Sequence, residues 1–187
     1  GRLITEMVDD ETQKVRLVNV FERLEILINE FAKIEQLLSK SYSLNYQDYH
    51  FSLILEQVRD MSMLDNWDEL ISENIECDAV INVDFGLFAL AIKNLIDNAL
   101  KYSSDKKVRI ICDENKVSVA NRGAALAKSF EHYKQAFIRN KDEKATGMGL
   151  GLYIIDKICE LHKFRFEYNY SDGTHYFSIV FSPKGSI

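Results

Sequence analysis

A chain of 187 residues, 47% hydrophobic and 28% charged, carries enough apolar material for a sizeable core and too much for a disordered tail. Its formal net charge of −6 excludes a general attraction to nucleic acid or to an anionic membrane, so a site for a polyanion must be a local concentration of positive groups. No apolar run approaches the roughly 18 residues needed to span a bilayer, and no signal-peptide pattern opens the chain, so a soluble piece is expected.

The chain begins Gly1-Arg2-Leu3-Ile4 directly in helical periodicity, without a Met or a cap, which is expected of a fragment cut inside a helix. From Leu17 the apolar positions step by four and three through Phe21, Leu24, Ile28, Phe31, Ile34 and Leu38. That narrow seam predicts a helix for a bundle or coiled coil. Leu3, Ile4, Met7 and Val8 form a shorter apolar set before it. The charged Asp9-Asp10-Glu11-Thr12 stretch is either a turn between two antiparallel helices or part of one continuous helix.

Ser39 to Tyr49 is polar and Tyr-rich and reads as a linker, with a domain boundary between residues 1–41 and 42–187. A helix is predicted from His50 to Met63, one short strand near Asn74 to Val83, and a long helix after Asp84, its N-cap. Phe88, Ile92, Leu95, Ile96 and Ala99 recur there at helical spacing. On the opposite stripe stand Asn94, Asp97, Asn98 and Lys101. Each Asn costs a helix interior about 0.5–0.7 kcal/mol relative to Ala, so the pair needs a compensating role. Carboxamide oxygens suit Mg²⁺, a hard cation that bridges substrate phosphates, and Lys101 on the same stripe can reach a phosphate.

Lys107 to Cys112 and Lys116 to Ala120 read as a hairpin around Asp113-Glu114-Asn115. Between Phe137 and Thr146, Arg139, Lys141 and Lys144 outnumber Asp142 and Glu143, as in a mobile cationic flap over a nucleotide. Gly147-Met148-Gly149-Leu150-Gly151-Leu152 then opens a helix to Leu161, leaving backbone N–H groups unshielded at its N-terminus. Alone, the stretch fits a hinge before a buried helix equally well. It lacks the third glycine of a Rossmann fingerprint and the lysine of a P-loop. Strands are predicted at Phe164 to Tyr170 and Thr174 to Phe181, joined in a hairpin at Ser171-Asp172-Gly173. Interleaved strands and helices without a βαβ rhythm predict an α+β fold with helices on one face of a mixed sheet. Cys77, Cys112 and Cys159, widely spaced and without a CxxC pair, predict buried reduced thiols and a reducing compartment.

These stretches together resemble the sensor histidine kinases of two-component signalling, within the superfamily of ATP-binding domains shared with gyrase, the heat-shock-90 chaperones and the MutL repair proteins. "NLIDNALKYS" (residues 94–103) is similar to the N box, "ANRGAAL" (120–126) to the first glycine box, "YKQAF" (133–137) to the F box and "GMGLGL" (147–152) to the second glycine box. Asp172-Gly173-Thr174 resembles the final Gly-Thr element. The resemblance implies a two-layer α/β sandwich that binds ATP and Mg²⁺, with Asn98 as principal metal ligand and Asn94 beside it.

It further implies a catalytic set of Asn94, Asn98, Lys101 and Arg139. The implied nucleotide site adds Tyr102, Asn121, Gly123, Leu126, Phe137, Lys144, Thr146, Gly147, Met148, Gly149, Leu150, Gly151, Leu152 and Thr174. "RLITEM" and the seam helix resemble part of a dimerisation and phosphotransfer hairpin whose phosphoacceptor histidine would precede Gly1. By the same resemblance the partners are a response regulator receiver domain and a second copy through the hairpin, with this fragment itself monomeric. The parent is expected to be an inner-membrane sensor with this portion cytoplasmic. His50, His132, His162 and His175 read as ordinary surface or helix-end histidines, and His162 as favourably placed against a helix dipole.

Two positions depart from the family pattern. Asn121 stands where an aspartate normally accepts from the adenine amino group, and Ala125 where the box has a second glycine. Hydrogen bonds to charged groups contribute about 1.5–3 kcal/mol against 0.5–1.5 for neutral ones, so ATP binding roughly five- to tenfold weaker is expected. The alternatives are an ATPase or serine kinase of the same superfamily, or a scaffold that binds ATP without catalysis. Asn94 stands where hydrolytic relatives place a glutamate base, and it cannot take a proton from water.

Overall fold

A computed structural model describes residues 43–136 and 149–181. It also describes seven helical residues nearer the N-terminus: Val15, Leu17, Val18, Val20, Phe21, Ile28 and Ala32. The chain divides into two compact units, Gly1–Tyr42 and Ser43–Ile187. In the first, Leu17 and Phe21 are half-buried, while Ile28 of the apolar seam is 67% exposed. The expected turn at Asp9 to Thr12 lies outside the described residues.

The second unit contains, among its described residues, five helices and two sheets. Strand β1 (Tyr46–His50) leads into helix α1 (Phe51–Ser62), the one-turn helix α2 (Trp67–Leu70), and strands β2 (Ile71–Ile75) and β3 (Val80–Asp84). Helix α3 (Phe85–Tyr102) follows, then strands β4 (Val108–Cys112) and β5 (Lys116–Arg122). The short α4 (Phe130–Tyr133), helix α5 (Gly151–His162), β6 (Arg165–Ser171) and β7 (Thr174–Val180) complete the unit. The larger sheet has the order β2-β4-β5-β7-β6, with β2 parallel to β4 and the other pairs antiparallel. β1 and β3 form a separate antiparallel pair. This is the α+β architecture expected.

Core composition explains the layers. On one face of the sheet Val108 and Ile110, Val117 and Val119, and Phe177 and Ile179 are buried. Helix α3 packs against β5 and α5 against β6. α3 supplies the largest share: Phe88, Ala91, Ile92, Leu95, Ile96 and Ala99 are at most 1% exposed. Each large apolar side chain so buried is worth about 1.5–3 kcal/mol before the entropy cost of ordering. Asp84 caps α3 as expected, accepting from Leu87 N–H at 3.2 Å.

Four local expectations are corrected. The predicted linker up to Tyr49 contains β1, whose side chains are mostly exposed; a strand with water on both faces carries no apolar alternation to betray it. The single strand expected near Asn74 to Val83 is two, β2 and β3, on different sheets. The short helices α2 and α4 were not predicted, being too brief for a helical period to register. Finally, His162 is the helix-end residue expected, the last of α5, but it is buried. Its Nε2 accepts from Asp84 N–H at 3.0 Å, and its Nδ1 lies 2.8 Å from the Ile158 carbonyl, to which it donates. Burial lowers its pKa, so the imidazole is neutral and makes no charge–dipole contribution at the end of α5.

All three cysteines are free, with Cys112 and Cys159 buried and Cys77 half-buried. Burial raises both buried thiols to about 12, which keeps them protonated and unreactive.

Candidate functional site

Three parts of the fold converge on the stripe of α3 that faces away from the core. The first is α3 itself. Asn94 Nδ2 donates to the Leu90 carbonyl at 3.0 Å, which ties the amide nitrogen back to its own helix and leaves the oxygen pointing outward from that bond. Asp97, between the asparagines, is held by Lys93 at 2.6 Å. Asn98 is half-buried, and its Nδ2 is buried without any hydrogen-bond partner. A buried amide left unpaired costs about 1–3 kcal/mol. The two ends of a carboxamide are assigned by their surroundings, so either nitrogen or oxygen at this position lacks a counterpart that a ligand can supply. Lys101 lies over the Tyr102 ring, 4.9 Å from its centroid, and Tyr102 is 46% exposed.

The second part is the start of α5. Gly149 has φ +72°, a conformation that glycine adopts without strain. Leu150 is buried in the core, so only its backbone is available to a ligand. Ile154 N–H bonds to the Leu150 carbonyl at 2.9 Å, the first closed turn of α5. The N–H groups before it, of Gly151, Leu152 and Tyr153, lack intrahelical partners. Gly151 sits directly against Asn98: a Cβ added to it would lie 2.8 Å from Asn98 Nδ2 and 3.2 Å from Oδ1.

The third part joins the end of β5 to the β6–β7 turn. Gly123 N–H donates to the Gly173 carbonyl at 3.0 Å, and Ser104 N–H to the Arg122 carbonyl at 3.0 Å. A Cβ at Gly123 would lie 3.5 Å from the Tyr102 carbonyl. Asn121 is 3% exposed, is paired in register with His175, and donates weakly to the Arg122 carbonyl at 3.3 Å. Thr174 is half-buried opposite Arg122, and Leu126 is half-buried in the loop after β5. His175 was expected at the surface; it is 6% exposed on the inner face of the sheet, because β7 alternates and this position points toward the helices. Burial lowers its pKa, the bond to the Ala124 backbone opposing the shift.

The structure thus gathers Asn98, Gly151, Gly123, Tyr102 and the Gly173-Thr174 turn around the last turns of α3. Phe137, Arg139, Lys144, Thr146, Gly147 and Met148 lie outside the described residues. Sequence reasoning missed Lys134, which binds Asp156 of α5 at 3.0 Å and Glu131 of α4 at 3.1 Å, and so fixes the F-box end of α4 to α5. It also missed Tyr168 and Tyr170 and gave His175 no role; no local pattern marks them.

Known proteins share this fold and much of this sequence pattern. Residues 84–185 match the family described as histidine kinase-, DNA gyrase B-, and HSP90-like ATPase. Sensor histidine kinase ArsS of Helicobacter pylori is 34% identical over 180 residues, covering 96% of this chain and 42% of that protein. The chain therefore spans less than half the length of this relative. Among solved structures, the Acinetobacter baumannii histidine kinase AdeS matches with TM-score 0.72 at 21% identity, over 96% of this chain and 88% of that one. Full-length ShkA in complex with AMPPNP matches with TM-score 0.68 at 17% identity, over 95% of this chain and 40% of that one. The fold, the family match over its larger unit and the relatedness to sensor histidine kinases agree, and the chain belongs to the histidine kinase-, DNA gyrase B- and HSP90-like ATPase family.

Proposed function

We propose that this chain is the ATP-binding catalytic portion of a protein-histidine kinase of a two-component system, using ATP with Mg²⁺. The observation that carries the reading is the buried, unpartnered Nδ2 end of the Asn98 carboxamide, set against the bare backbone of Gly151 at the start of α5. That pairing suits a ligand offering both a cation and phosphate oxygens. ShkA, of the same fold, is described with an ATP analogue bound. The donor set fits: Asn98 and Asn94 would hold the metal through their oxygens. Mg²⁺, when bound, neutralises phosphate charge and orients the triphosphate.

The chain's own residues bind and exclude. The α5 N-terminus presents backbone N–H groups to the phosphates, Lys101 and Arg139 add positive charge, and the loop after β5 receives the base. Asn94 cannot act as a general base toward water, which favours transfer to a histidine nitrogen over hydrolysis. In that transfer the γ-phosphorus exchanges its bond to the β-phosphate oxygen for one to nitrogen, and ADP leaves. The phosphoacceptor is proposed to precede Gly1. Residues 1–41 are read as part of a dimerisation hairpin, the exposed Val15, Val18, Val20 and Ile28 being available to a second copy. Residues 42–187 are read as the catalytic domain. A response regulator receiver domain is the proposed downstream partner. Among the described residues no helix is long and apolar enough to cross a membrane; the cytoplasmic face of a membrane sensor is the proposed setting.

Nucleotide titration with and without Mg²⁺ tests the site. The wild type is expected to bind ATP at least about tenfold more tightly with Mg²⁺, a difference of ~1.4 kcal/mol, and Asn98→Ala to lose that gain. A wild type indifferent to Mg²⁺ overturns the metal assignment. In the full-length protein, ATP is expected to leave an acid-labile phosphoryl adduct; phosphate release without an adduct favours the ATPase alternative.

A further inference from the structure

The loop after β5 has little of its own to hold it. Ala124 and Ala125 are exposed, and Leu126 is only half-buried. Ring side chains of the last hairpin lie against its backbone instead. Tyr170 of β6 donates its hydroxyl to the Gly123 carbonyl at 3.1 Å. Tyr168, also of β6, lies with its hydroxyl 2.9 Å from His175 Nδ1. The Leu126 backbone also approaches the Tyr168 hydroxyl, and the Ala124 backbone the His175 ring. His175 is so close under the loop that a Cβ at Gly123 would fall 2.9 Å from its Nε2.

The bonds have a consistent direction. The Leu126 backbone opposes the rise in the Tyr168 pKa, as an N–H aimed at the phenol oxygen does, which leaves the hydroxyl hydrogen for Nδ1. A neutral imidazole with Nδ1 accepting carries its hydrogen on Nε2, and the Ala124 backbone, which favours the charged ring, acts on it as an acceptor does. A phenylalanine would fill the same space without burying a polar ring. The imidazole therefore makes sense as a relay between hydroxyl and loop.

We propose that Tyr168, Tyr170 and His175 are positioning residues that hold the Gly123–Leu126 backbone in place beside Asn121 to receive the purine base. This rests on the nucleotide reading above. Among the described residues, the hydrogen bonds of these rings run to the loop and to one another. Burial keeps His175 neutral near pH 7. A proton on Nδ1 reverses the bond to Tyr168 and turns the hydroxyl hydrogen away, so acid loosens the loop. The titratable groups in ring contact with His175 are Tyr168 and Tyr170 of β6; β5 presents the neutral Asn121 opposite it, and α4 reaches the cluster through Phe130 stacked on Tyr168.

Two measurements decide it. Amide hydrogen exchange on the nucleotide-free protein is expected to speed up at Gly123, Ala124 and Leu126 by about tenfold in Tyr168→Phe and His175→Ala, with α3 unchanged. ADP titration is expected to show about fivefold weaker binding in each variant, no further loss in the double variant, and recovery in His175→Gln, whose amide keeps a donor and an acceptor. Wild-type affinity should fall below the ordinary histidine value of 6.5, and His175→Gln should remove that fall. Unchanged exchange in Tyr168→Phe, or an undiminished pH dependence in His175→Gln, overturns the proposal. If the wild type binds no nucleotide at all, the nucleotide reading and the role resting on it both fall. The exchange result then reports separately whether the rings hold the loop.

Discussion

A methyl group absent from Gly151 leaves Asn98 its place. The residue is the first of α5, where alanine would be the better helix former by up to about 1 kcal/mol, yet an added Cβ would press into the carboxamide from 2.8 Å. A carboxamide at the end of a side chain swings aside at little cost in stability. We expect Gly151→Ala to leave the urea unfolding midpoint within error while cutting the Mg²⁺-dependent gain in ATP affinity about tenfold; a full gain in this variant contradicts the clearance argument. The asparagines themselves were legible in the sequence, because a helix interior penalises them. Gly151 was legible only as part of a glycine run, since its reason lies in a neighbour on another helix. His175 was misread as a surface residue, since one histidine in an alternating strand does not say which face is covered.

Among elements, α3 depends on its first residues as much as on its apolar face. The Asp84 carboxylate accepts from Leu87 N–H at 3.2 Å and from Asn45 N–H at 3.1 Å, joining the cap of α3 to the approach to β1. Replacing Asp84 by alanine is expected to cost about 1–2 kcal/mol, read as a lower urea midpoint with an unchanged slope. A cost near zero would mean that water serves those two N–H groups as well. The cap could be read from the sequence because it is local. The β1–β3 pairing could not, since Tyr46–His50 is mostly exposed and carries no period. The hairpins β4–β5 and β6–β7 were both anticipated, from turns at Asp113-Glu114-Asn115 and Asp172-Gly173 that interrupt apolar alternation.

For the molecule as a whole, two histidines buried in neutral form set an acid limit. The pKa values of His162 and His175 are lowered in the fold by burial, so on acidification the unfolded chain takes up these protons first. Their contribution is fully present above the unfolded value of 6.5 and is lost as pH falls toward and through the folded values. The slope is at most about 1.4 kcal/mol per pH unit for each proton. Urea midpoints are expected to fall from about pH 7.5 to about pH 5.5, less steeply in His162→Gln; equal midpoints across that range would rule out the linkage. The α+β class was legible from the rhythm of elements, but not the sheet order, because strands distant in sequence pair by complementarity that no local window shows. That order has a consequence for synthesis. β5 is flanked by β4 and β7, and β7 is the last of the described strands to leave the ribosome. Until it emerges, the nascent chain carries an open central edge and half of the proposed base pocket, a span in which a chaperone has more to protect than a nucleotide has to bind.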